Sequence, residues 1–355
     1  MTSELRDAAR PSADDEDGGA EVGRGRAALN FLRGSSYVAT SVRLLIVLIA
    51  ISVGFGIAQP AFFSSASITN IFVSAVLVLL LALGETYVMI SGGIDLSVAG
   101  MLALSGMVAG QIMSSLYTGS GSQWGVTLLG LLAALATGLA GGALNGLAIS
   151  RLRLNSLIVT LGTMGVFTGV ASLISNGNPI TNFPAAAFTL GDGKWGPVPI
   201  MVAIAAGAVV VYAFVTSQTR FGRHIFAAGA NREALRRAGV SVPLVTIGVF
   251  CMAGLVAGLA GFLDTAHFLT ASPTAGSQDL LLAVAAVVIG GTPLEGGEGS
   301  IIGTVIGALI ISVLQNGFVI LNVQAYWQLV AVGVVTVGAV YAGERERIAR
   351  VLKGA

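Results

Sequence analysis

Charge is what this sequence has least of. Asp, Glu, Lys and Arg make up 10 % of its 355 residues, against about 25 % in a soluble domain, so an ordinary water-soluble enzyme is excluded. The formal net charge is +1 and no basic, aromatic-lined groove is legible, which removes nucleic acid as a partner. Cysteine is nearly absent. Cys251 stands alone in an apolar run, so there is no disulfide framework and no redox compartment to read. Lysine is almost as scarce: Lys194 and Lys353 are the only two, and neither sits in G-x-x-x-x-G-K-[ST], the loop that cradles nucleotide phosphates. The histidines, His224 and His267, are far apart, and neither H-E-x-x-H nor G-x-S-x-G occurs. No catalytic residue, metal ligand or cofactor of this chain's own is therefore expected.

What is abundant is apolar sequence, 55 % of the chain, and glycine, 49 residues without a G-X-Y period. Glycine inside long apolar runs allows helices to approach closely in lipid. A bilayer core of about 30 Å takes about 20 apolar residues in a helix. Runs of that order lie at Leu44–Phe63, Ile68–Ile90, Ile94–Leu116, Val126–Ser150, Leu157–Ser175, Val198–Thr216, Pro243–Phe268, Ile301–Leu321 and Ala325–Ala342. A shorter run, Leu280–Ile289, covers half a bilayer and either crosses with help from its flanks or turns back. Cytoplasmic loops concentrate Lys and Arg, and ten crossings with both termini inside put every basic residue except Lys194 on one face. The fold class is therefore an all-α polytopic membrane protein of about ten transmembrane helices, some broken at glycines.

Residues 1–43 mix arginines with an acidic run and are expected to be a disordered cytoplasmic tail. Residues 44–342 form the transmembrane domain, and 343–355 a basic cytoplasmic tail. On the outer face, Asn176–Pro197 has the turn residues of an ordered loop. On the inner face, 217–242 is the one strongly basic connection. There Asn231 is placed to cap a short helix, Arg232–Ala238, with Glu233 in its first turn. Its arginines read either as topology markers or as a docking surface.

Ionisable groups within spans are candidates for function. Glu85 lies inside the second run, and Asp95 follows the Gly92-Gly93 break in S-G-G-I-D-L-S. They bind protons or ions, line a polar path, or cap exposed backbone; for Asp95, which precedes a new helix, capping is favoured. Asp264 is placed to snorkel from the outer end of its span. A second break, G-G-T-P-L-E-G-G-E-G from Gly290, follows the short run and suggests two related halves. Small-residue spacings at Gly138/Gly142/Gly146, Gly254/Gly258 and Gly303/Gly307 serve packing within the chain or a homodimer seam.

Four stretches together carry a resemblance: G-E-T-Y-V-M-I-S-G-G-I-D-L-S-V (Gly84–Val98), A-L-N-G-L-A-I-S-R-L-R-L-N-S-L-I-V-T-L-G-T (Ala143–Thr163), R-F-G-R-H-I-F-A-A-G-A-N-R-E-A-L-R-R-A-G-V (Arg220–Val240) and A-V-A-A-V-V-I-G-G-T-P-L-E-G-G-E-G (Ala283–Gly299). In order and spacing the chain resembles the permease subunit of bacterial sugar ABC importers of the ribose/xylose type. The resemblance implies the bacterial inner membrane, a second permease copy, a cytoplasmic ATPase that binds ATP and Mg, and an external sugar-binding protein. It makes the basic loop a coupling helix of pattern E-A-A-x-x-x-G, met here by Glu233, Ala234 and Gly239 with Leu235 in place of the second Ala. Coupling residues are then Arg223, Asn231, Arg232, Glu233, Ala234, Arg236, Arg237 and Gly239. Candidates for the translocation path or helix break are Glu85, Ser91, Gly92, Gly93, Asp95, Ser97, Asn145, Asn155, Asp279, Gly290 and Gly291. Asn176, Asn178 and Pro179, in the outer S-N-G-N-P-I, would meet the binding protein. Where the family carries acidic or amide residues before A-[IV]-A-A-V, this chain has Leu280, Leu281 and Leu282, and where the family has Lys in G-G-K-G it has Glu298. A branched-chain amino-acid or nucleoside permease of the same superfamily is the nearest alternative, and an ion-coupled secondary transporter using Glu85 and Asp95 a more distant one.

Overall fold

Helix ends, more than helix interiors, set the course of this chain. The computed structural model describes residues 40–119 and 122–324, and residues 326–328, 330, 331, 333, 334, 337, 338 and 341 beyond them. The chain divides into two units, residues 1–43 and 44–355. Of the first, only Thr40–Arg43 are described, as helix; the tails expected at 1–43 and 343–355 otherwise lie outside the described residues, as does part of the run Ala325–Ala342.

Helix α1 spans Thr40–Ala58. The apolar pattern continues to Phe63, but the helix stops short because Pro60, which has no N–H to donate, opens a separate 3-10 turn, Pro60–Phe63. Helix α2, Ser65–Ile90, begins where the Ser64 hydroxyl accepts the Ser67 N–H at 3.2 Å. Its second half, from Val78 onward, is buried all round, the mark of a helix enclosed by other helices; helices from later in the chain pack against it. Helix α3 starts at Val98, four residues later than the apolar run, because residues 94–97 form a capped turn. Helices α4 (Gln123–Leu152) and α5 (Ser156–Ser175) follow, joined by a tight turn at Arg153.

The outer loop is ordered. It holds helix α6 (Ala185–Asp192) and an antiparallel pair, β1 (Lys194–Trp195) and β2 (Val198–Pro199), which takes the first two residues of the sixth apolar run before α7, Ile200–Gln218. On the inner side lie α8 (Arg220–Ala230) and α9 (Arg232–Arg237). Helix α10 (Val242–Phe268), the short α11 (Asp279–Ile289) and α12 (Ile301–Ile320) complete the described bundle. Eight described helices are long and apolar enough to cross a membrane, and the chain is an all-α polytopic membrane protein.

Lipid gives apolar helices no reason to associate, so close backbone approach and buried polar bonds must hold the spans together. Both occur. Helix α4 packs along α10 with Gly138, Gly142 and Gly146 facing Gly254, Phe250 and Ile247, so close that a Cβ on any of them would overlap the opposing backbone. Gly303 and Gly307 on α12 sit in the same way against Gly290 and Ala286 at the inner end of α11. All three small-residue seams are used within the chain. Among polar bonds, Thr86 and Thr304 share a buried hydroxyl bond of 2.7 Å between α2 and α12. The Tyr87 hydroxyl donates to the Tyr212 carbonyl on α7, and the Tyr212 hydroxyl to the Met252 carbonyl on α10, each at 2.6 Å.

Candidate coupling junction and translocation path

The basic inner loop builds a short, well-capped helix. Asn231 leaves α8 in an extended conformation and its side-chain oxygen accepts the Ala234 N–H at 2.9 Å. Glu233 in the first turn is paired with Arg236 at 2.8 Å and Arg237 at 3.1 Å, and hydrogen bonds from these two arginines hold its carboxyl below the usual value. The helix ends at Arg237, one residue before the sequence reading, with Ala238 as its cap. Gly239 turns the chain in the left-handed region, φ +79°, where glycine carries no Cβ penalty. Arg236 and Arg237 expose most of their side chains, and Arg223, on α8, is also exposed. Exposed cations on a rigid helix end are what a docking surface requires.

Helices α8 and α9 between them touch both glycine breaks, which are some two hundred residues apart in sequence. The Gly297 N–H donates to the Ile90 carbonyl at the end of α2, at 2.8 Å. A Cβ at Gly296 would lie 2.6 Å from the Gly92 nitrogen, and one at Gly229, on α8, would strike both the Ile90 oxygen and the Gly297 nitrogen. Three backbones thus meet where only glycine fits. Arg232, the first residue of α9, donates from Nη2 to the Ser91 carbonyl at 3.3 Å and to the Gly92 carbonyl at 3.5 Å. Gly92 and Gly291 both have positive φ, +77° and +88°, and Gly290 packs on Gly303. The sequence offered the two breaks as signs of related halves; their contact with each other and with α8–α9 was not legible in it.

Beneath the first break lies a buried polar cluster. Glu85, Asp95, Ser97 and Asn145 are fully buried. Asp95 Oδ1 accepts the Ser97 N–H at 2.8 Å and its hydroxyl at 2.6 Å, just ahead of α3, as the capping reading of Asp95 expects. The Asp95 N–H donates to Glu85 Oε1 at 3.2 Å, and the Asn145 amide donates to Ser97 Oγ at 2.7 Å. Residues 94 and 96 are held from α5, by Ser156 Oγ and Thr160 Oγ1. Asn155 stands apart from this cluster: it is exposed and caps α5 through the Leu157 N–H at 2.8 Å.

Toward the outer face the chain enters the bundle without a helix. Residues 270–278 run inward from a backbone bridge between Ala271 and Ile180, and a Cβ at Gly276 would lie 3.0 Å from the Leu102 side chain on α3. Helix α11, 11 residues long, continues from it. Non-helical backbone at membrane depth is tolerated only where protein encloses it or a cavity runs beside it, and this stretch, T-A-S-P-T-A-G-S-Q, is polar. Asp279 opens α11 and is half-buried. Asp264 does not snorkel: it is 8 % exposed, packed inside α10's face on the bundle. Outside, Asn176 caps α5 in the left-handed region, the Asn178 amide bonds the Ser175 and Asn176 carbonyls, and Asn176, Asn178 and Pro179 are exposed together.

Residues 67–340 match the family model described as the branched-chain amino acid transport system / permease component. The chain is 37 % identical over 314 residues, 86 % of its length and 94 % of the relative's, to the ribose import permease protein of Escherichia coli strain K12. It is 38 % identical over 302 residues, 84 % and 89 %, to the ribose import permease protein of Bacillus subtilis strain 168. Over 300 residues, 84 % and 88 %, it is 35 % identical to the D-allose transport system permease protein of Escherichia coli K12. No solved structure matches. A match over most of the chain, together with eight apolar spans, makes this chain a multi-pass inner-membrane protein that belongs to the transport-system permease family, with ribose-type sugar permeases among its relatives.

Proposed function

We propose that the chain is the membrane-spanning permease subunit of an ATP-binding-cassette importer, passing a monosaccharide of the ribose or xylose kind from an external binding protein to the cytoplasm. A second permease copy completes the pathway. A separate cytoplasmic ATPase binds ATP and Mg and supplies the energy, and Asn176, Asn178 and Pro179 meet the binding protein. The observation that carries this reading is the bond from Arg232 to the Ser91 and Gly92 carbonyls, because it joins an exposed basic helix directly to the turn that ends α2.

The mechanism follows from rigidity. An ATPase that grips α9 by Arg236 and Arg237 moves a six-residue helix whose first side chain holds the break. The break is bonded back to the last turn of α2, through the Ser91, Gly92 and Gly93 N–H groups, and the end of α2 is clasped to Gly297 by a further backbone bond, so a pull on the break is passed to both. Closure of the ATPases therefore reaches α2 and α11 together. Outer access lies beside the unwound residues 270–278, whose hydroxyls and the Gln278 amide suit a polyhydroxylated substrate.

The test is uptake of a labelled monosaccharide into proteoliposomes carrying the permease with its ATPase and binding protein. Uptake is expected to need internal ATP and to survive collapse of ion gradients. Charge reversal at Arg236 and Arg237 is expected to abolish both co-purification of the ATPase and uptake. Transport by the permease alone on a proton or sodium gradient overturns the reading.

A further inference from the structure

A cavity of about 210 Å³ opens on the cytoplasmic side between the end of α4 and the start of α10; Ser150, Arg153, Leu154, Arg232, Pro243 and Thr246 are among the residues lining it. None of its lining residues is acidic. Neither arginine takes part in an ion pair among the described residues, and the bonds from Arg232 to the helix break use only Nη2. Two guanidiniums bordering one cavity, with no acidic residue in its lining, make it electropositive and attractive to an anion.

Arg153 stands at a position that favours another residue. It closes α4 at φ 55°, ψ 34°, the left-handed region in which glycine is the default. The backbone would be served better by glycine, so the arginine's contribution lies in its guanidinium.

Depth narrows the choice of anion. Helix α10 has 27 residues, about 40 Å at about 1.5 Å per residue, which is long enough to pass the hydrocarbon core of about 30 Å and enter the headgroups at its ends. Pro243 is about 18 Å from the helix midpoint, just beyond the half-thickness of about 15 Å, at the level of lipid phosphates. Beside the cavity, Leu154 and Leu244 are 48 % and 68 % exposed. A cationic cavity with an apolar border at phosphate depth fits a phospholipid, and the cytoplasmic leaflet supplies anionic ones.

We propose that this cavity seats the headgroup of one anionic phospholipid of the cytoplasmic leaflet, with its phosphate between Arg153 and Arg232 and its chains along Leu154 and Leu244. Because Arg232 also holds the Ser91 and Gly92 carbonyls, the lipid fixes that side chain from its second face and steadies the start of α9. Lipid binding is read without any transport assay.

The full-length protein is purified in detergent, delipidated, titrated with phosphatidylglycerol or phosphatidylcholine, and weighed intact by native mass spectrometry. One phosphatidylglycerol per chain is expected to survive activation that strips phosphatidylcholine. Arg153→Gly suits the backbone and is expected to weaken that adduct about fivefold, as the loss of one interfacial cation does, while Arg153→Lys keeps most of it. Equal retention in the wild type and Arg153→Gly overturns the proposal. Displacement of the lipid by millimolar inorganic phosphate identifies a free-anion site instead and also overturns it. Loss of ATPase co-purification in Arg153→Gly with the lipid adduct intact assigns the cavity to the partner protein, a third way for it to fail.

Discussion

Helices α4 and α5 are consecutive spans, both glycine-rich, and they use glycine in opposite ways. On α4, Gly138, Gly142 and Gly146 lie against the backbone of α10 with no room for a methyl group. On α5, Gly162, Gly165 and Gly169 face open space, and an added Cβ at any of them would meet nothing within 4 Å. Both stripes keep glycine to one helix face, spaced four and four residues apart on α4 and three and four on α5. The difference lies in the partner: α10 presents Gly254 and Gly258 at matching heights, so two backbones approach each other, whereas no described helix lies within 4 Å of that face of α5. A glycine stripe therefore marks where close approach is possible, and only the facing helix decides whether it happens.

The strongest test of that contrast is Gly142→Ala. Its Cβ would overlap the Phe250 carbonyl, and backbone cannot swing aside as a side chain can. A loss of about 3 kcal/mol is expected, at the upper end of ordinary overpacking, read as a lowered unfolding midpoint of the purified protein. Gly254→Ala should cost a similar amount, and the double variant less than the sum, since once the helices have been forced apart the second methyl meets a wider gap. Full additivity would mean that α4 and α10 do not form one seam.

Gly92→Leu probes a third use of glycine. Its neighbours leave a Cβ at 3.5 Å or more, so space is available, but the backbone sits at φ +77°. An L residue there costs roughly 1–2 kcal/mol, less than the seam variant. Transport is expected to fall much further than stability does, because the strain falls on the segment that Arg232 holds. Equal losses in both would reduce the break to a structural turn.

These three kinds of glycine show what the sequence could and could not convey. The short-range features were legible: Asn231 capping α9, Asp95 capping the turn before α3, and the two breaks themselves all depend on residues within a few positions of each other. Span ends failed where a local polar bond or a proline overrides hydropathy, as at Pro60 and at residues 94–97. Legibility ended where meaning depends on distant partners. Nothing near Gly297 says that its N–H reaches Ile90, and nothing near Asp264 says that α10 turns it inward instead of toward the interface. The short run Leu280–Ile289 could be counted as a crossing only from charges elsewhere in the chain, for the same reason: its enclosure is supplied by α2, α3 and α12.

Helices can also be joined by hydroxyls, and the α2–α12 contact measures that alternative against the glycine seam. Thr304→Val removes one partner of the buried Thr86–Thr304 bond. Thr86 keeps its bond to the Ala82 carbonyl at 2.6 Å, so the loss is expected to be about 1 kcal/mol, a third of the seam variant. The double variant Thr86→Val/Thr304→Val should be milder than two single losses, since no polar atom is left facing an apolar one. A loss as large as that of Gly142→Ala would make hydroxyl bonds, not backbone approach, the main fastening of this bundle.

The smallest effect is expected on the open face. Gly165→Ala adds a methyl group that meets nothing in this chain and replaces a poor helix former by the best one, a gain of up to about 1 kcal/mol in an isolated helix and less in a packed bundle. The unfolding midpoint of the single permease should rise slightly or stay put. Uptake by the assembled transporter is the more revealing reading, because the proposed second copy must lie against some face of this one. Unchanged uptake leaves the stripe facing lipid. A raised midpoint with lost uptake would place a helix of the second copy against α5, and the contrast with α4 would then be one of partner alone: two one-sided glycine stripes, one closed within a chain and the other between two.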